Sequence, residues 1–198
     1  MDINPCERIK SLKEEDKKRS AISSEDLQRI NRYLSKNNPY FLLVCRMEYY
    51  TFIRPEELTN IRLRDINLKE QKIFVASSIS KNRRDGMVGL NDEIVRQMID
   101  LKIFDSDSND YLFSTGFKPG KKKITTRVLR DHFYKVRTAL KLPKTYMFYS
   151  LKDSGIRDLA NAAGIVVARD QARHADISTT NKYLQGSSLP VHEETKHF

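Results

Sequence analysis

His174 stands nine residues before Tyr183 in the segment A-R-H-A-D-I-S-T-T-N-K-Y, with a polar Ser-Thr-Thr run between them. Upstream lie Arg54, in R-P-E-E-L, and Lys81, which opens K-N-R-R-D-G. Phenol, imidazole, guanidinium and ammonium are together the groups needed to break a phosphodiester by transfer. A nucleophile must attack phosphorus. Cations must hold the two non-bridging oxygens as charge builds. A base must take the nucleophile's proton, and an acid must protonate the departing 5′ oxygen. Tyrosine suits the first task because a phosphotyrosine bond keeps the energy of the bond it replaces. Arginine suits the second through its planar fork, and a lysine can act as the acid where its surroundings lower its pKa.

The bulk charge points to a partner for such chemistry. The 198-residue chain has a formal net charge of +10 and a pI near 9.6, which suggests a polyanion. The excess is clustered. Lys81, Arg83 and Arg84 share one loop, and Lys118, Lys121, Lys122, Lys123, Arg127 and Arg130 share another loop and the helix it feeds. Asp100, Asp105, Asp107 and Asp110 gather in a separate acidic stretch. Positive charge concentrated in loops suits contacts to the backbone of double-stranded DNA. We read Arg83, Arg84, Lys121, Lys122, Lys123, Arg127 and Arg130 as that contact set.

Other classes fall away. Cys6 and Cys45 are the only cysteines and form no CxxC pair, which argues against a disulfide framework or a zinc site. No apolar run approaches the roughly 20 residues of a membrane span. The start, M-D-I-N-P-C-E-R, lacks the pattern of a secretory signal, so a cytoplasmic location is expected. No metal or other cofactor is called for, since side-chain cations can take that part.

The elements that must position these residues are legible in part. Residues 1–20 read as a linker or arm, 21–185 as one domain and 186–198 as a tail. Ser23 precedes a helical stripe of Leu27, Ile30 and Leu34, with Asp26 at the capping position. Asn38-Pro39 opens a second, strongly apolar helix, and Pro55 a short third one. Residues 63–68, 72–76 and 87–90 have strand character and predict a three-stranded antiparallel sheet, with Lys81 in its second turn. Asn91 caps a helix expected to run to about Phe104. Leu129, Phe133, Val136 and Leu140 line one face of another. Residues 150–163 and 165–172 read as helices around Gly164, and Asp176 or Ser178 as the cap of a last helix bearing Tyr183. The fold class is α+β, mostly helical with a small sheet at one edge.

With these residues in place, the chain resembles the catalytic domain of a tyrosine recombinase of the phage integrase family, over roughly residues 20–185. T-F-I-R-P-E-E-L-T-N-I-R-L-R-D-I is similar to the first box of that family and puts Arg54 on the catalytic arginine, Glu57 on its glutamate and Asp65 on the aspartate entering the sheet. Lys81, 27 residues after Arg54, matches the catalytic lysine of the sheet turn. His174 matches the His or Trp position of the L-G-H box, and Tyr183 the nucleophile. The second box, usually His-x-x-Arg followed by His or Lys, departs from the pattern. Here Tyr149 replaces the first His, Lys152 the Arg, and Asp153 the next residue. Lys152 keeps the charge without the fork. Tyr149 can hydrogen-bond but cannot serve as a neutral base. Asp153 either pairs with Lys152 or repels phosphate. Arg157, one helical turn on, is a candidate for the missing fork.

The resemblance implies site-specific recombination through a 3′-phosphotyrosine, as in integration and excision of phage or mobile elements. Arg54, Lys152 and His174 would hold phosphate oxygens, Lys81 would protonate the leaving group, and the assembly on DNA would be a homo-tetramer. Family members carry an N-terminal DNA-clamping domain, so the chain is expected to be a piece of a longer protein. Two rivals remain open: a DNA-binding module of this fold with impaired chemistry, and a topoisomerase-like strand relaxer.

Overall fold

The structure, a computed structural model, describes residues 19–81 and 83–184. The arm, the tail and Asn82 lie outside the described residues, apart from Arg19 and Ser20. Those two are held to the body: Arg19 pairs with Asp153 and Ser20 hydrogen-bonds to Thr145.

Two polar caps start the core helices. The Ser23 hydroxyl accepts from the Asp26 amide at 3.2 Å, opening α1 (Ser24–Asn37), which buries Ile30 and Leu34. The Asn38 side chain accepts from the Phe41 amide at 3.0 Å, opening α2 (Pro39–Thr51) with Pro39 in its first turn. Each satisfies an amide that the helix itself leaves unpaired. Phe41, Leu42, Leu43, Val44, Cys45 and Met47 are buried almost all round α2, as a central helix requires. Full burial stabilises by about 1.5–3 kcal/mol per large apolar side chain. The helices α1, α4 (Asp92–Asp100) and α6 (Ser150–Ala163) pack against α2.

At the end of α2, Phe52 takes a left-handed backbone (φ 55°). This turns the chain through Ile53 into Arg54 and the single turn α3 (Pro55–Leu58). The sheet follows as β1 (Ile66–Asn67), β2 (Lys72–Val75) and β3 (Gly86–Gly89), antiparallel in that order, with Ile73 opposite Val88. Ile73, Val75 and Val88 face the core. The first strand is shorter than its sequence suggests. Leu63–Asp65 forms a 3-10 turn instead, held by the Arg62 amide donating to the Asp65 carboxylate at 2.8 Å. Such local side-chain bonds compete with strand pairing.

The helix expected to reach Phe104 ends earlier. Lys102 turns left-handed (φ 52°) and a separate 3-10 turn spans Ile103–Asp105. α5 (Thr126–Ala139) buries Leu129, Phe133 and Val136, and Gly164 (φ 92°) separates α6 from α7 (Ile165–Gln171). Asp176 caps the short α8 (Ile177–Asn181), accepting from the Ser178 amide. A second small core of Phe52, Ile156, Ala160, Ala168 and Ala172 sits here, with Tyr183 and Leu184 packed on it. α6 approaches α2 closely because position 155 is glycine. A Cβ there would collide with the Tyr49 carbonyl oxygen and lie 2.7 Å from the Phe52 ring.

Candidate active site

Glu57, 1% exposed, is the hub around which the candidate residues gather. Arg54 stands at the N-cap of α3. Its amide donates to Glu57 Oε2 at 3.1 Å and its Nη1 to Oε1 at 3.2 Å. The Lys81 amide reaches Oε1 at 3.2 Å from the sheet turn, and Arg173 Nη2 forms an ion pair with Oε2. One carboxylate thus ties α3, the turn between β2 and β3, and the loop before α8. Burial raises the Glu57 pKa, but Arg173 and the amides of Arg54 and Lys81 outweigh it and hold the carboxyl below the ordinary value. Charge-assisted bonds of this kind stabilise the ionised form.

His174 and Tyr183 come together as their spacing suggested. Their rings stack at 5.8 Å between centroids and 15° between planes. His174 Nδ1 is paired with Thr180 Oγ1 at 2.9 Å, so Nε2 is the nitrogen left to act. Burial lowers the His174 pKa to about 4, and Lys152, Arg54 and Arg173 push the same way. The imidazole is therefore neutral at pH 7. Tyr183 lies two residues beyond the end of α8 rather than within it, in the turn that follows. Burial raises its pKa, while a hydrogen bond from Tyr149 pulls it down. Tyr149, at the N-cap of α6, is itself raised, first by burial and then by Tyr183. The tyrosine in the place of the first His of the box and Tyr183 thus shift one another's pKa.

Lys152 is fully buried, with its ammonium on the Phe52 carbonyl at 2.7 Å. Burial lowers its pKa to about 8, opposed by Glu48 and reinforced by Arg54. Glu48 is also fully buried, and no described residue hydrogen-bonds its carboxyl oxygens. Burial pushes its pKa well up, against the pull of Lys152.

Two expectations for this helix need correction. Asp153 forms no ion pair with Lys152; it pairs with Arg19, whose guanidinium also lies 4.4 Å above the Tyr149 ring, and after burial its charge helps to raise the Tyr183 pKa. Arg157 does not replace the missing fork. It is held by Asp158 at 2.8 Å and donates to the Ile22 carbonyl.

Lys81 is exposed in the predicted turn, with Arg83 and Arg84 exposed beside it. Arg84 lines a cavity with Arg54, Arg173 and His174. Lys121, Lys122 and Lys123 are exposed, and Lys123 pairs with Glu56 of α3 at 3.4 Å, which brings that basic loop beside Arg54. Arg127 and Arg130 are exposed on α5, Arg127 pairing with Asp131 at 3.4 Å. Arg173 and Glu48 were missed by sequence reasoning. The first had a signal: it occupies the glycine position of the L-G-H box. The second had none beyond its place in an apolar helix. Among the described residues, no helix is long and apolar enough to cross a membrane.

A sequence model of the phage integrase family matches residues 8–188. The chain belongs to the phage integrase family. A tyrosine recombinase of Pseudothermotoga lettingae is 24% identical over 92% of this chain and 62% of its own length. The tyrosine recombinase XerA of Pyrococcus furiosus is 21% identical over 95% of this chain and 65% of its own. The chain therefore spans less than two thirds of these relatives. Among solved structures, XerA recombinase superposes with a TM-score of 0.72 at 19% identity, over 89% of this chain and 62% of that one. A lambda integrase dimer bound to a COC' core site gives 0.70 at 15% identity, over 88% and 51%. The shared fold is the one described above, helices around a three-stranded antiparallel sheet.

Proposed function

We propose that this chain is the strand-cutting domain of a site-specific DNA recombinase acting through a 3′-phosphotyrosine, in integration or excision of a phage or mobile element. The observation that carries the reading is the convergence of Arg54 and His174 with Tyr183, across about 130 residues of sequence, on a basic chain. In this mechanism the Tyr183 oxygen attacks phosphorus and the P–O5′ bond breaks. The Tyr183 proton passes to neutral His174, in the tautomer that donates Nδ1–H to Thr180. The resulting imidazolium, with Arg54, holds the non-bridging oxygens as their charge rises. Lys81 protonates the 5′ oxygen from the exposed sheet turn. Attack by a 5′ hydroxyl of a partner strand reverses the step, and no bond energy has to be supplied. Arg83, Arg84, Lys121, Lys122, Lys123, Arg127 and Arg130 contact the phosphate backbone, and the full-length protein works as a homo-tetramer on two duplexes.

A second reading has one observation behind it. Lys152, in the place of the second arginine, is fully buried on a backbone carbonyl, which favours a DNA-binding module with impaired chemistry. A suicide duplex nicked beside the crossover site separates the two. The first reading predicts a covalent protein–DNA adduct on a denaturing gel. Binding to the cognate site with no adduct supports the second.

A further inference from the structure

We propose that Arg173 is the second phosphate-gripping guanidinium of the site, supplying from the loop before α8 the fork that position 152 lacks. The inference rests on the phosphotyrosine reading above. Lys152 cannot offer two parallel N–H groups and is occupied by the Phe52 carbonyl. Arg157 is engaged by Asp158 and Ile22. Arg173 is paired too, with Glu57, but differs from both in its position. It lines the same cavity as Arg54 and His174. The two oxygens of buried Glu57 are divided between the guanidiniums, Arg54 Nη1 on Oε1 and Arg173 Nη2 on Oε2. A single carboxylate so shared sets both forks in fixed relation, the preorganisation that transition-state charge stabilisation requires.

Two further features hold this side chain in place. Arg173 keeps a left-handed backbone (φ 54°), which a residue with a Cβ adopts rarely. The stem crosses β3 at Gly86, where a Cβ would lie 2.7 Å from Arg173 Cδ. The glycine clears the path, and the arginine occupies a backbone position that glycine would fill more easily. Its charge is felt at the chemistry as well, since after burial and Arg54 it adds to the lowering of the His174 and Lys152 pKa values. Two guanidiniums suit a phosphodiester whose two non-bridging oxygens go from sharing one negative charge to sharing two as the nucleophile adds.

The test is single-turnover cleavage of the suicide duplex by the wild type, Arg173→Gly and Arg173→Lys. Each is run on a phosphodiester and on a methylphosphonate at the scissile position, where one non-bridging oxygen is a neutral methyl. On the phosphodiester, Arg173→Gly is expected to cleave about 10²–10³-fold more slowly than wild type. Arg173→Lys is expected to fall between the two. On the methylphosphonate, which has no charge to hold, the gap should shrink to about tenfold or less if the lost contact is the electrostatic one. Should Arg173→Gly fail to fold, Arg173→Lys carries the same comparison. An equal defect on both substrates means Arg173 acts only by bracing Glu57 and overturns the inference, as does a wild-type rate. A wild-type protein that forms no adduct overturns the phosphotyrosine reading itself, a failure distinguishable from that of Arg173 alone.

Discussion

Replacing Glu57 by glutamine changes one oxygen for an NH2 group at the hub of the site. Four donors converge on the carboxylate: the Arg54 amide and Nη1, the Lys81 amide, and Arg173 Nη2. A glutamine keeps one acceptor oxygen, so two donors lose their partner and face an NH2 group. Hydrogen bonds involving charged groups contribute about 1.5–3 kcal/mol each. Removing one partner of a buried ion pair costs about 3–5 kcal/mol, so the expected loss of stability is about 3–5 kcal/mol. Urea unfolding at pH 7, followed by circular dichroism, measures it. The neighbouring change Glu56→Gln is the control. That side chain is 68% exposed and among the described residues pairs with Lys123, so its loss should be about 0.5 kcal/mol or less. Single-turnover cleavage should fall about 100-fold or more in Glu57→Gln, since displacing the two guanidiniums by an ångström misplaces the reacting phosphate. The pH dependence has a definite sign. The folded-state pKa of Glu57 is depressed, so its stabilisation is present above the ordinary carboxylate pKa and is lost as pH falls through the folded value. The stability gap between wild type and Glu57→Gln should close over that fall. A Glu57→Gln protein within about 1 kcal/mol of wild type and cleaving at the wild-type rate would refute the hub.

Three other outcomes are expected. Gly155→Ala should destabilise by about 1–3 kcal/mol or more, because the new Cβ meets the rigid Tyr49 carbonyl, and thermal melting would show it; an unchanged melting temperature contradicts the close approach of α6 to α2. Lys121, Lys122 and Lys123 changed together to Ala should weaken binding to all DNA sequences alike and reduce the log–log salt slope by about 0.9 per lost phosphate contact; an unchanged slope removes that loop from the interface. Lys152, with its pKa lowered to about 8, is an ammonium at pH 7 and loses its charge as pH rises through that value. That ionisation should appear in urea unfolding of the wild type followed against pH and be absent from Lys152→Met. Because the folded pKa lies below the ordinary 10.5, the unfolded chain binds more protons between these values, and native stability should rise with pH across that window.

The sequence disclosed what local chemistry controls. Ser23, Asn38 and Pro39 mark the starts of α1 and α2 because caps act through neighbouring amides. Gly164 divides α6 from α7 for a similarly local reason. The failures have other causes. The first strand lost Leu63–Asp65 to a turn closed by the Asp65 side chain, and α4 ended before Lys102 without a glycine to announce it. In the site, Arg54, His174 and Tyr183 were legible from type and spacing. The burial of Lys152 was not, since it depends on how closely α6 meets the end of α2. Nor was the attachment of Asp153 to Arg19, which lie 134 residues apart. Arg173 carries a local signal, but its meaning lies in Glu57, a partner 116 residues away.

The proposed phosphotyrosine mechanism requires Tyr183 to be the nucleophile. The Tyr149 side chain acts on the Tyr183 pKa, so two phenols stand at the site and a gel shift alone does not choose between them. The direct measurement is mass spectrometry of the trapped adduct after nuclease and trypsin digestion, where cleavage after Lys182 leaves Tyr183 at the head of its own peptide. With Tyr183 as the nucleophile, the nucleotide is on Tyr183 and Tyr183→Phe gives no adduct. A nucleotide on Tyr149, or an adduct that survives Tyr183→Phe, contradicts that role.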